Sequence, residues 1–210
     1  MTLPRALLAA LSALAAAALC ACEIAVIGAA TSAAYSIAED RRTSGAQLED
    51  ETIQVRAQAR VNERFGDKVH VTVTSFNRIA LLTGEAPDEA TRDEIGKLVL
   101  QQVPNVKDVA NELQLAVPSS RASRINDEFI TTKIKARLLD AEKVSLVHIK
   151  VVTEAGVVFL MGLVTETEAD QAVEIARTTG GVRKVVKLFE YCKADDPGCR
   201  PLTTKPAGPA

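Results

Sequence analysis

Cysteines are the residues of this sequence best suited to covalent chemistry. Cys192 and Cys199 lie near the C-terminal end and enclose the residues Lys-Ala-Asp-Asp-Pro-Gly. In an oxidising compartment such a pair can form a disulfide, because Pro197-Gly198 lets the chain turn back on itself. A metal site built from the two thiols and the carboxylates between them is the weaker alternative, since the spacing matches no standard zinc pattern. We therefore predict a disulfide between Cys192 and Cys199.

The other two cysteines end an apolar N-terminal segment. Residues 1–22 contain Arg5 and then an Ala- and Leu-rich run that ends in Leu19-Cys20-Ala21-Cys22. This pattern is typical of a secretory signal, and its end matches the lipobox that directs acylation to the following cysteine. We predict a lipoprotein signal peptide over 1–22 and acylation of Cys22, where each buried methylene contributes about 0.8 kcal/mol to membrane anchoring. An ordinary cleaved signal with incidental cysteines is the alternative. If Cys22 is acylated, the Glu23 that follows it favours the outer membrane over the inner one.

The remaining sequence contains no pattern that indicates catalysis. His70 and His148 occupy equivalent positions in two separate repeats, so we predict no metal site from them. The patterns Gly-x-Ser-x-Gly, His-Glu-x-x-His, Gly-x-Gly-x-x-Gly and the P-loop are absent from the sequence. A formal net charge of −2 argues against a general nucleic-acid binder, which carries a basic surplus. We therefore predict no enzyme activity, no cofactor and no nucleic-acid partner.

Two copies of one unit follow each other at an offset of 76 to 78 residues. Asp50-Glu51-Thr52-Ile53 is repeated as Asp127-Glu128-Phe129-Ile130, and Leu82-Thr83-Gly84 as Leu160-Met161-Gly162. In the second copy Ile130, Ile134 and Leu138 form one helical stripe, and the acidic pair before them suits a helix start. Each copy is predicted to fold in the order helix, strand, strand, helix, strand. The fold class is therefore α+β, with two helices packed on a three-stranded sheet in each of two tandem domains.

Changes in composition divide the chain into segments. Small residues and a charged, turn-rich stretch indicate a flexible tether after the signal peptide, and Pro118 with its serine neighbours indicates a linker between the copies. The Pro-, Thr- and Ala-rich end indicates a disordered tail. We expect the two domains to be close neighbours with some relative freedom. The predicted segments are a tether over 23–46, a first domain over 47–116, a linker over 117–124, a second domain over 125–192 and a tail over 193–210.

The order of elements, the Gly that ends the second strand and the paired copies resemble the BON domain. Asp40-Arg41-Arg42-Thr43-Ser44-Gly45, Ile130-Thr131-Thr132-Lys133 and the segment 158–165 are similar to the dual-BON outer-membrane lipoproteins. The resemblance covers nearly all of the chain between the signal peptide and about Tyr191. It implies a periplasmic protein, tethered to the outer membrane, that binds anionic phospholipid through its second domain and supports envelope integrity. It also implies proximity to the outer-membrane protein assembly machinery.

The same resemblance points to a lipid site on the first helix of the second domain. In that family an aromatic residue near the start of this helix makes the contact. Phe129 occupies the matching position here, where the family has Trp. Lys133, Lys135 and Arg137 add cations, which suits a helix at an anionic surface. The alternatives are that Phe129 closes the edge of the core among ordinary solvated cations, and that the protein is a scaffold binding envelope assembly factors. The predicted phospholipid site consists of Phe129, Thr132, Lys133, Ala136, Arg137 and Leu139.

Overall fold

A computed structural model describes residues 40–141, 144–193, 196 and 199 of the chain. The predicted signal peptide with Cys22, most of the predicted tether and most of the predicted tail lie outside these residues. The element order predicted from the sequence is confirmed in both copies. The first copy contains α1 (Ser44–Phe65), β1 (His70–Phe76), β2 (Ile79–Ala86), α2 (Glu89–Gln102), β3 (Asp108–Asn111) and β4 (Gln114–Leu115). The second contains α3 (Arg121–Leu139), β5 (Ile149–Glu154), β6 (Val157–Val164), α4 (Glu166–Arg177) and β7 (Lys184–Tyr191).

Both sheets combine an antiparallel hairpin with a parallel third strand. β1 and β2 pair antiparallel, and β3 joins β2 in parallel after the crossover through α2. β5, β6 and β7 repeat this arrangement in the second copy, with α4 as the crossover. A parallel pair requires a long connection, which explains why a helix precedes the last strand of each copy. The first sheet also gains the two-residue β4, which pairs with β2 and which the predicted three-stranded sheet did not include.

One face of each sheet is covered by the two helices of its own copy. The predicted stripe of Ile130, Ile134 and Leu138 is buried against the second sheet, as is the equivalent stripe of α1 against the first. Aliphatic side chains dominate both cores. At about 25 cal/mol for each Å² of apolar surface removed from water, this burial is the main stabilising contribution to each domain.

The opposite faces of the two sheets pack against each other. Phe76 and Leu81 of the first sheet form one buried cluster with Phe159 and Met161 of the second. Polar contacts surround this cluster, including Glu190, which accepts hydrogen bonds from Asn77 and Lys107. This shared apolar interface differs from the predicted relative freedom of the domains. The two sheets pack together because the second strand of each hairpin is apolar on both faces. Each sheet therefore has two surfaces to bury.

The structured part extends further at two edges than the sequence indicates. Residues 41–46 of the predicted tether are ordered, because Arg41 pairs with Glu168 at 2.6 Å and Thr43 accepts a hydrogen bond from the Ala46 amide to cap α1. Residues 121–124 of the predicted linker are helical, because Ser120 caps α3. Both segments therefore belong to the folded domains and not to flexible connections.

Within the described part of the chain, no helix combines the length and the apolar character required to cross a bilayer.

Candidate functional site

The outward face of α3 carries a stripe of apolar and small side chains. Ile125, Phe129 and Leu139 are exposed by 66%, 59% and 59%, and the exposed Thr132 and Ala136 lie between them. These five residues follow one another in steps of four and three, so they share one side of the helix. The buried stripe of α3 lies on the opposite side. We call the five exposed residues the outer stripe of α3.

Cations flank the outer stripe on both sides. The ammonium of Lys133 lies 4.2 Å from the centre of the Phe129 ring, a cation–π contact one helical turn apart. On the other flank the helical periodicity places Lys135 and Arg124. The helix therefore presents apolar surface and positive charge together, which is the pattern of a helix that lies at an anionic interface.

Arg137 is placed differently from the other residues of the predicted lipid site. Its guanidinium donates hydrogen bonds to the Ile175 carbonyl at 2.6 Å and to the hydroxyls of Thr179 and Thr178 at 2.7 Å and 3.0 Å. These groups lie at the C-terminal end of α4, where a cation is favourable for the helix dipole. Arg137 therefore connects α3 to α4, and most of its hydrogen-bonding capacity is used within the protein.

Ile125 belongs to the outer stripe but is absent from the site predicted by sequence. The helix was predicted to begin at Asp127 and Glu128, so Ile125 was expected to lie before it and not to align with Phe129. The step of four residues from Ile125 to Phe129 is the sequence signal that indicates it. With Ile125 included, the stripe extends over nearly the whole length of α3.

A buried aspartate fixes each helix to the hairpin of its own copy. Asp127 accepts hydrogen bonds from the amides of Ala155 and Gly156 at 2.9 Å and 2.8 Å, at the turn between β5 and β6. Asp50 accepts equivalent bonds from the amides of Asn77 and Arg78. The prediction that Asp127 stands at a helix start is wrong, because α3 begins at Arg121. The role of this residue is to position α3, and with it the outer stripe, on the sheet.

The two C-terminal cysteines are joined after β7. Cys192 and Cys199 form a disulfide in the structure, with their Cα atoms 5.8 Å apart. Cys199 is buried. The bond closes a short loop directly behind the last strand of the second sheet, far along the chain from α3.

Comparison with known proteins gives the same two-domain organisation. The BON domain family matches residues 49–117 and 126–193. The chain is 36% identical to the outer membrane lipoprotein DolP of Haemophilus influenzae, over 81% of this chain and 88% of that protein. It is 32% identical to a 21 kDa hemolysin of Actinobacillus pleuropneumoniae, over 72% and 79% of the two chains. It is 28% identical to the osmotically inducible protein Y of Escherichia coli, over 73% and 78%. The chain therefore belongs to the BON domain family, as a DolP-like protein with two BON domains.

Proposed function

We propose that this chain is an outer-membrane lipoprotein, anchored through Cys22 and facing the periplasm, whose second BON domain binds anionic phospholipid and supports envelope integrity. The observation that carries the lipid contact is the outer stripe of α3 with its flanking cations. The similarity to a protein named as an outer membrane lipoprotein supports the location. No enzyme activity is part of this proposal.

The apolar part of the site provides the insertion surface. Large apolar side chains that are exposed together on one face mark an interaction surface more often than isolated ones do. Ile125, Phe129 and Leu139 meet this condition along a single helix. In the lipid-bound state these side chains enter the boundary between headgroups and acyl chains, and their burial there contributes to binding.

The charge of α3 makes anionic lipid the favoured ligand. Its 19 residues contain five basic and two acidic side chains, and one of the acidic ones, Asp127, is buried in the hairpin contact. Each basic side chain near an anionic membrane surface contributes about 1 kcal/mol. Helix α1 provides the internal comparison, because its 22 residues contain three basic and four acidic side chains. Although Leu48 and Val55 of α1 are also exposed, the charge of α1 does not favour an anionic surface.

Vesicle co-sedimentation tests this proposal. A soluble form that begins at Glu23 removes the contribution of acyl chains and keeps every residue of the described cores. We expect it to sediment with phosphatidylglycerol vesicles and much less with phosphatidylcholine vesicles. Phe129→Ala and Lys133→Glu should each weaken binding to the anionic vesicles by about tenfold, a difference of about 1.4 kcal/mol. Val55→Ala, the matched control on α1, should bind as the unchanged protein does.

Two results would contradict the proposal. Unchanged binding by both Phe129→Ala and Lys133→Glu would remove the outer stripe as the site. Equal binding to anionic and zwitterionic vesicles, or no binding to either, would remove anionic phospholipid as the ligand.

A protein-binding scaffold for envelope or outer-membrane protein assembly factors is the second candidate function. The observation that favours it is the spacing of the outer stripe, because steps of four and three residues also suit packing against a helix of a partner protein. In that case the stripe variants would lose a partner protein while vesicle binding stayed negligible.

A further inference from the structure

Three potential metal ligands meet where the first domain faces the second. His70 at the start of β1 lies directly opposite Glu85 of β2 in the antiparallel register. Glu154 ends β5 of the second domain. One ligand atom from each of these three residues lies within 4.8 Å of the other two. We predicted no metal site from the sequence, because His70 and His148 lie in separate repeats. Glu154 gave no signal either, since it is 69 positions from Glu85 and belongs to the other repeat.

Glu154 is the residue of this cluster that indicates a bound ligand. Its side chain is only 7% exposed, and its Oε1 atom is buried without a hydrogen-bond partner among the described residues. A buried carboxylate oxygen without a partner costs free energy, which a ligand at this position would recover. The carboxylate of Glu85 is better satisfied, because its Oε2 atom lies 3.0 Å from His70 Nδ1 and accepts a hydrogen bond from the Ser119 amide at 3.0 Å.

His70 and Glu154 line a cavity of about 170 Å³. A cavity of this size holds water as well as an ion. Arg124, Asp127 and Glu128 also line it. Asp127 accepts hydrogen bonds from the hairpin amides, and Arg124 adds a positive charge to the same cavity.

From this geometry we infer that His70, Glu85 and Glu154 form a zinc site that links the two domains. One imidazole and two carboxylates are three protein ligands of the types that zinc accepts, and the cavity leaves room for water at a fourth position. Calcium requires six to eight oxygen ligands, which two carboxylates do not supply. With a neutral imidazole the ligand set carries two negative charges, which balance the two positive charges of the zinc ion.

The two carboxylates of the cluster favour a cation at this position. A divalent cation would neutralise the repulsion between Glu85 and Glu154. The strands β1 and β2 also lie close together beside His70. A Cβ atom at Gly84 would lie only 2.0 Å from the His70 carbonyl oxygen.

Zinc titration of the soluble form that begins at Glu23 tests the inference. This form lacks Cys20 and Cys22, and its other two cysteines are joined in the disulfide, so thiols do not compete for the ion. We expect calorimetry to show one zinc ion per chain and the melting temperature to rise with zinc and fall again with EDTA. Glu154→Gln and His70→Ala should each weaken zinc binding by about tenfold or more. Glu128→Gln, which changes a carboxylate of the same cavity outside the ligand set, should bind zinc as the unchanged protein does.

Two outcomes would overturn the inference. One is the absence of any zinc-dependent change in the unchanged protein, and the other is equal zinc binding by Glu154→Gln and Glu128→Gln. Glu154→Gln preserves the shape of the side chain, so its zinc affinity remains informative if His70→Ala does not fold. Cobalt titration gives an independent measure, because the visible absorption of a bound cobalt ion should be lost in Glu154→Gln. These measurements use no lipid, so their result is separate from that of the vesicle experiment.

Discussion

Lys133 and Phe129 form a cation–π pair on the outward side of α3, with the Lys133 ammonium 4.2 Å from the ring centre. The contact joins residues four positions apart, which are neighbours on a helix surface. It keeps the positive charge beside the exposed ring, so that insertion of the ring would bring the ammonium to the level of the lipid phosphates. The pair therefore links the apolar and the electrostatic parts of the proposed lipid contact in one unit.

Replacing Phe129 by Trp should strengthen vesicle binding. The indole N–H favours the membrane interface, and Trp is the stronger partner in a cation–π contact. We expect binding to phosphatidylglycerol vesicles to become about threefold to tenfold tighter, corresponding to about 0.7–1.4 kcal/mol. The same substitution at the exposed Val55 of α1 is the control and should change binding little. A gain at Val55 as large as that at Phe129 would mean that any exposed Trp produces the effect.

Ile125 should contribute to the same surface as Phe129. It is the most exposed large apolar residue of α3 and lies one turn before the ring. Ile125→Asn should weaken binding to anionic vesicles about tenfold, as expected from the loss of an inserted aliphatic side chain. Leu48→Asn makes a comparable change on the exposed face of α1 and should leave vesicle binding unchanged. Vesicle binding by Ile125→Asn at the affinity of the unchanged protein would restrict the contact to the C-terminal part of the helix.

The ion pair of Arg41 and Glu168 should make stability depend on acid pH. Their side chains are 4% and 6% exposed. Burial alone would raise the pKa of Glu168, but hydrogen bonds from Arg41 and Thr165, together with the charge of Arg41, outweigh it and lower the pKa. A carboxyl group whose pKa is lowered by folding stabilises the protein above its ordinary pKa of 4.5. This contribution is lost as the pH falls from there through the folded-state value.

Arg41→Ala tests this relationship. Removing one partner of a buried ion pair destabilises a protein by about 3–5 kcal/mol, because the other charge stays buried. We expect a loss of this order in the free energy of unfolding at pH 7, measured by urea denaturation. The difference from the unchanged protein should shrink as the pH falls below 4.5 and through the lowered pKa of Glu168. Arg177→Ala removes an exposed pair with Glu174 and should cost about 1 kcal/mol or less. An equally small loss for Arg41→Ala would show that Arg41 is not fixed to α4.

Features with a local periodicity could be predicted from the sequence. The stripe of Ile130, Ile134 and Leu138 indicates the buried side of α3. Phe129 lies outside this stripe, so its exposure could also be predicted. The element order and the repeat depend on patterns of this kind, which span only a few residues. The start of α3 was harder to predict from the sequence, because Pro118 indicates a linker. The Ser120 hydroxyl nevertheless caps the helix only two residues later.

Features that depend on pairing over long distances could not be predicted in this way. Arg41 and Glu168 are separated by 127 positions, so no local pattern shows that they meet. The cluster of His70, Glu85 and Glu154 likewise requires the packing of one sheet on the other. The sequence shows that β6 is apolar on both faces, but it does not show which surface covers the second face.

The second face of β6 is covered by the first domain. Phe159 is buried in the cluster shared by the two sheets, with Phe76 and Leu81 contributed by the first domain. Phe159→Ala should lower the free energy of unfolding by about 3–5 kcal/mol, the usual cost of removing a buried aromatic ring. The unchanged protein should unfold in one cooperative transition, because the interface couples the domains, whereas Phe159→Ala should separate the transitions of the two domains. Phe129→Ala removes the same ring from an exposed position and should cost less than about 1 kcal/mol. Two separate transitions in the unchanged protein, monitored by calorimetry, would contradict the coupling.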